Sequence, residues 1–120
     1  MKDRSDIDRL KDINRAIQKI EKYTENLFLE EFENNEMVQD AVFKNFEVIG
    51  EAAYKVTKKT KAEHQEIEWR KIEALRHKLV HDYYEIDMGI VWNTKEKKLP
   101  ELFDLIIDLI EKLEADEKSL

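Results

Sequence analysis

The chain has 120 residues, 42% of them apolar and 41% charged, a formal charge of −7, two glycines (Gly50, Gly89), one proline (Pro100) and no cysteine. One domain is expected at that length, and so few turn residues argue against a β-sandwich or barrel; the missing cysteine removes disulfides, thiolate zinc sites, iron–sulfur ligation and cysteine nucleophiles together. The acidic balance is not that of a general nucleic-acid coat protein, no apolar run approaches the roughly 20 residues of a membrane span, and Met1–Lys11 is charged throughout, so a cytoplasmic protein is expected.

In chain order, Ile7, Leu10, Ile13, Ile17, Ile20 and Tyr23 recur at steps of three and four, which predicts an amphipathic helix from about Ser5 to Tyr23. Glu25–Asn35 holds Leu27, Phe28, Leu29 and Phe32 among acids and ends at a break, Asn34-Asn35, whose second Asn can cap the next helix. That helix starts near Glu36 and carries a stripe of Met37, Ala41, Val42, Phe46, Ile49, Ala53 and Val56. Phe43, Val48 and Ala52 widen the stripe enough to meet more than one neighbour, which makes this the central helix. Thr57–Gln65 reads as a loop or short helical turn. Trp69, Ile72, Leu75, Leu79 and Val80 mark a third main helix that ends near His81–Tyr84, and Ile90, Val91 and Trp92 belong to a short one. Pro100 fits the first turn of a last helix whose inner face is Leu102, Phe103, Ile106, Leu109, Ile110 and Leu113. The expected fold is all-α: an antiparallel bundle of four to five helices in a single domain over residues 1–120, frayed at about 115–120.

The charge is unevenly spread. Residues 51–98 are net basic between two acidic flanks, so Lys55, Lys58, Lys59, Lys61, Arg70, Lys71, Arg76 and Lys78 either surround an anionic ligand or are solvated surface cations. No nucleophile elbow, phosphate-cradling glycine loop or H-E-x-x-H motif is present. Polar reagents concentrate between Trp69 and Tyr84. There Arg76, His81 and Tyr83 supply a permanent cation with a donor fork, an imidazole that titrates near neutrality and a phenol. These groups suit phosphodiester cleavage without a metal: an imidazole moves the proton of a 2′-hydroxyl or leaving oxygen while a guanidinium stabilises charge on phosphorus oxygens. On a straight helix Arg76 and Tyr83 share a face, but His81 is about 140° from Arg76. Either the helix ends at His81 or a second subunit completes the pocket, as a two-fold dimer would. His77 and His81, at i and i+4, could instead share a metal if His64 or Asp82 joined them. Trp69 and Trp92 read as core aromatics before base-stacking platforms. Glu47 and Glu51 lie one turn apart on the central helix, where a buried carboxylate would want a cation such as Arg76.

The pattern R-x-x-x-x-H-x-Y, here Arg76-His77-Lys78-Leu79-Val80-His81-Asp82-Tyr83, resembles the signature of the HepT family of toxins within the HEPN superfamily. The block from Ala41 to Ala53, Trp69-Arg70-Lys71-Ile72, Ile90-Val91-Trp92 and Leu99-Pro100-Glu101-Leu102 resemble that family's other landmarks in the same order, so the likeness spans roughly residues 5–113. The resemblance implies an all-α bundle that dimerises, with Arg76 and His81 of both subunits forming a metal-independent RNA-cleaving cleft that needs no cofactor. In those roles His81 is the general acid or base, Arg76 the phosphate stabiliser and Tyr83 a positioning group; beside what the resemblance implies, His77 and Glu51 are candidate supporting residues. It also implies a partner: an MntA-type minimal nucleotidyltransferase antitoxin that transfers AMP from ATP to the motif tyrosine, Tyr83, within a homodimer or a larger hetero-oligomer. The position after the motif arginine is often asparagine in that family, whereas His77 stands here, and Tyr84 adjoins the expected modification site. From a different class, a non-catalytic helical adaptor that binds a nucleotidyltransferase or a nucleotide also fits the acidic composition.

Overall fold

The structure is a computed structural model that describes residues 4–81 and 85–119, with backbone alone at residues 79–81. Tyr83, the expected modification site, and Asp82 and Tyr84 beside it lie outside the described residues. Among those described, every regular element is helical and no strand occurs.

Helix α1 (Asp6–Thr24) begins where the periodicity placed it, because Ser5 caps it: the Ser5 hydroxyl accepts from the Asp8 N–H at 3.2 Å and the Asp8 carboxylate accepts from the Ser5 N–H at 3.3 Å. Leu10, Ile13, Ile17 and Ile20 are fully buried along its inner face. Tyr23, expected to close that stripe, is exposed, and Thr24 takes the inward position with its hydroxyl donating to the Ile20 carbonyl at 2.8 Å. A short helix α2 (Leu29–Glu33) forms just before the break expected at Asn34-Asn35. Its reason is Phe32, 1% exposed, whose ring sits 5.4 Å from that of Trp92. Helix α3 (Glu36–Lys55) is capped by Asn35, which accepts from the Val38 N–H at 3.1 Å. Val42, Phe43, Phe46, Ile49, Ala52 and Ala53 are buried along it, whereas Met37 points outward at 79% exposure and its neighbour Val38 packs against the core instead.

The 57–65 stretch resolves into helix α4 (Lys58–Glu63). Asp6 ties it to the start of α1, accepting from the Thr57 and Thr60 hydroxyls at 2.7 and 2.6 Å and from the Thr57 N–H at 3.0 Å. The first residue of α1 thus meets the second residue after α3, so the two helices run antiparallel. Helix α5 (Trp69–His81) packs on α3. Trp69 is buried and its indole N–H donates to the His64 carbonyl at 3.0 Å, as a core aromatic does. Asp87 caps helix α6 (Met88–Asn93), a π-helical turn spans Thr94–Lys98, and helix α7 (Leu99–Lys118) follows with Pro100 in its first turn. Ile106 and Leu109 of α7 are buried with the α1 and α3 stripes. The product is a helical bundle 51 Å long and 28–29 Å across. No described helix is long and apolar enough to cross a membrane.

Candidate active site

The geometry around Arg76 is set by a close helix crossing. A Cβ placed on Gly50 of α3 would lie 2.8 Å from the Arg76 Cβ, 2.9 Å from its backbone nitrogen and 3.2 Å from the Ile72 carbonyl oxygen. Only a glycine lets the α5 backbone rest this near α3. One residue further along α3, Glu51 meets the Nε–H side of the Arg76 guanidinium, with Oε2 at 2.9 Å, while its other oxygen lies 3.1 Å from the Lys55 ammonium. The hydrogen bond from Lys55, working against burial and helped by the charges of Arg76, Lys55 and Arg9, holds the Glu51 carboxyl below its ordinary value. The expectation that a carboxylate on the central helix would want Arg76 is met by Glu51, although the two side chains stay 45% (Arg76) and 42% (Glu51) exposed rather than buried.

Tyr54, one turn beyond Gly50, carries the Arg76 guanidinium 5.2 Å from its ring centroid. Lys61 fixes the other side of this arrangement: its ammonium donates to the Tyr54 carbonyl at 3.1 Å, pairs with Glu73 at 2.9 Å and lies 5.8 Å from the Tyr54 ring. Sequence reasoning missed Tyr54, whose place in the site is set by the guanidinium that the helix crossing brings over its ring. Arg76 and Glu51 open onto a groove of about 330 Å³ that Arg9, Lys44 and Glu47 also line. Glu47 is half-buried at that groove.

The wider basic segment is not a bare ring of cations. Lys55, Lys61 and Arg76 are paired with carboxylates as above, and Lys71 pairs with Glu68 at 2.6 Å, which pushes the Lys71 pKa up and the Glu68 pKa down. Lys58, Lys59, Arg70 and Lys78 are exposed. His77 is exposed on α5, next to Arg76. His81 is the last helical residue of α5, so the helix carries the backbone of both motif positions, and Tyr83 lies beyond what is described. His64 is held at the start of α5 by Trp69, and eight residues, about 12 Å of helix, separate Trp69 from His77. Among the described residues no three His, Asp or Glu side chains converge on a metal position.

Comparison with known proteins places this geometry in a family. The family model described as ribonuclease HepT-like matches residues 13–109. A protein of Thermococcus cleftensis named as a probable ribonuclease HepT is 37% identical over 99 residues, covering 82% of this chain and 90% of the relative. Two Methanocaldococcus jannaschii proteins named as putative RNases are 35% identical over 112 residues, covering 92% of this chain and 93% of the relative, and 36% identical over 107 residues, covering 86% and 92%. No solved structure matches the chain. The matched region contains the Gly50–Arg76 crossing, the Glu51–Arg76 pair and the whole R-x-x-x-x-H-x-Y motif, and the chain belongs to the HepT-like ribonuclease family.

Proposed function

We propose that this member of the HepT-like ribonucleases is a metal-independent endoribonuclease and the toxin of a toxin–antitoxin pair. The observation that carries the reading is Arg76, the motif arginine, held by α3 at the edge of an open groove with the motif histidine five residues on along the same helix. In the proposed reaction His81 takes the proton of a ribose 2′-hydroxyl as that oxygen attacks phosphorus, and a proton is returned to the departing 5′-oxygen. Arg76 stabilises the charge that builds on the non-bridging oxygens. A two-fold dimer would bring two such segments to one cleft, doubling the local cationic charge in an acidic protein. Control would fall on Tyr83: an MntA-type nucleotidyltransferase that attaches AMP there adds a negative phosphate and bulk beside a site that must admit an RNA phosphate.

The test pairs two measurements. Protein made without its genomic neighbour is expected to cleave RNA in the presence of chelator, with R76A and H81A at least about 100-fold slower, roughly the contribution of a general acid–base group. Protein made with a neighbouring nucleotidyltransferase is expected to carry AMP on Tyr83 by mass spectrometry and to be inactive. Equal cleavage by wild type and H81A would overturn the catalytic assignment, and an unmodified Tyr83 in the presence of an active transferase would overturn the control.

A further inference from the structure

An arginine side chain has many rotamers, and a phosphate-binding guanidinium that must be ordered anew at each turnover loses rate to that ordering. Here α3 acts on Arg76 at three places within two turns. Gly50 lets the α5 backbone approach, Glu51 takes the Nε side at 2.9 Å, and the Tyr54 ring lies under the guanidinium at 5.2 Å. Each of the two side chains belongs to a residue that is itself held: Glu51 by Lys55 at 3.1 Å, and the Tyr54 backbone by Lys61, which is anchored on Glu73. We infer that Glu51 and Tyr54 are positioning residues for Arg76, fixing its Nε side and its plane so that the edge formed by the two Nη groups is presented to a phosphate in the groove. The inference rests on the ribonuclease reading and assigns neither residue a contact with the reacting atoms.

Two features separate this role from ordinary surface pairing. An exposed ion pair contributes little to stability, so Glu51 is not required for the bundle to form. Glu51 also places a negative charge in the groove that an RNA backbone must enter, which opposes binding. A residue that weakens substrate binding yet holds the stabilising cation gives a distinctive kinetic split: its removal lowers kcat while KM stays level or falls.

The experiment measures RNA cleavage, thermal midpoint and the Arg76 ¹⁵Nε resonance, the last identified by its loss in R76A. E51Q, which keeps an acceptor but removes the charge, is expected to lower kcat about ten-fold, in line with the weakening of a charge-assisted hydrogen bond, without raising KM and with an unchanged midpoint. Its Arg76 resonance should move and broaden. Y54A is expected to lower kcat several-fold, and Y54F to recover what Y54A loses because the ring, not the hydroxyl, faces the guanidinium. Wild-type kcat and an unmoved resonance in E51Q and Y54A, with R76A inactive, would overturn the positioning role and leave the ribonuclease reading standing. Wild-type cleavage by R76A would overturn both.

Discussion

At the scale of the residue, Gly50 has less room than the other glycine, Gly89. A methyl group there would meet the Arg76 Cβ and two backbone atoms of α5, none of which can rotate away, so G50A must separate α3 from α5. The expected cost is about 1–3 kcal/mol, the range for overpacking, with a loss of cleavage larger than the stability change accounts for; urea denaturation and an RNA digest of the same preparation check it. Arg76, His81 and Tyr83 could be proposed from the sequence because their chemistry and spacing make a pattern; α5 carries the backbone of the first two, and Tyr83 lies outside the described residues. Glu51 was legible because a carboxylate on an apolar helix asks for a cation. Tyr54 was not, since an exposed tyrosine on a helix has no pattern of its own and acquires meaning only from the guanidinium that the crossing brings over it.

Among the elements, the junction of α1 with α4 depends on one carboxylate. Burial alone would raise the Asp6 pKa, but hydrogen bonds from Thr60, Thr57 and the Thr57 N–H, with the charge of Lys61, bring it below the ordinary value. A carboxyl with a lowered folded pKa contributes stability that is complete above the unfolded value, about 4, and is lost as pH falls through the folded one. D6N is expected to cost about 1 kcal/mol at neutral pH, given the half-exposed setting, and less below about pH 4; chemical denaturation at the two pH values checks the difference. Helix α2 depends on Phe32 in the same way. F32A should cost about 3–4 kcal/mol and change the fluorescence of Trp92, the ring it packs against. The main helices could be read from periodicity, and the Asn35 cap from cap chemistry. Helix α2 and the π-helical turn could not, because five-residue elements are too short to show a period and exist through tertiary contacts: Phe32 on Trp92, and the Lys95 ammonium 4.3 Å from the Trp92 ring.

For the whole molecule, the acidic total and the mixed-charge groove predict weak electrostatic attraction to RNA, and KM for a long RNA should rise with salt less steeply than for a basic nuclease; a titration from low to physiological salt checks this. The dimer is expected to appear in light scattering of the purified chain, and a monomer that cleaves at full rate would remove the shared cleft from the proposal. The family and the all-helical architecture were legible because the motif blocks keep their order across most of the chain. How the cations are used was legible only where partners share a helix, as Glu51 and Lys55 do at i, i+4; a pairing such as Lys61 with Glu73 depends on a packing of two helices that no single-helix pattern encodes. The notch at Gly50 has one more effect. A helix lying in such a notch cannot slide lengthwise by a single residue without a collision, and such a slip would turn every α5 position by about 100° about its axis. The bearing of the His81 backbone relative to Arg76's anchor on α3 is therefore locked by the absence of one methyl group on a neighbouring helix.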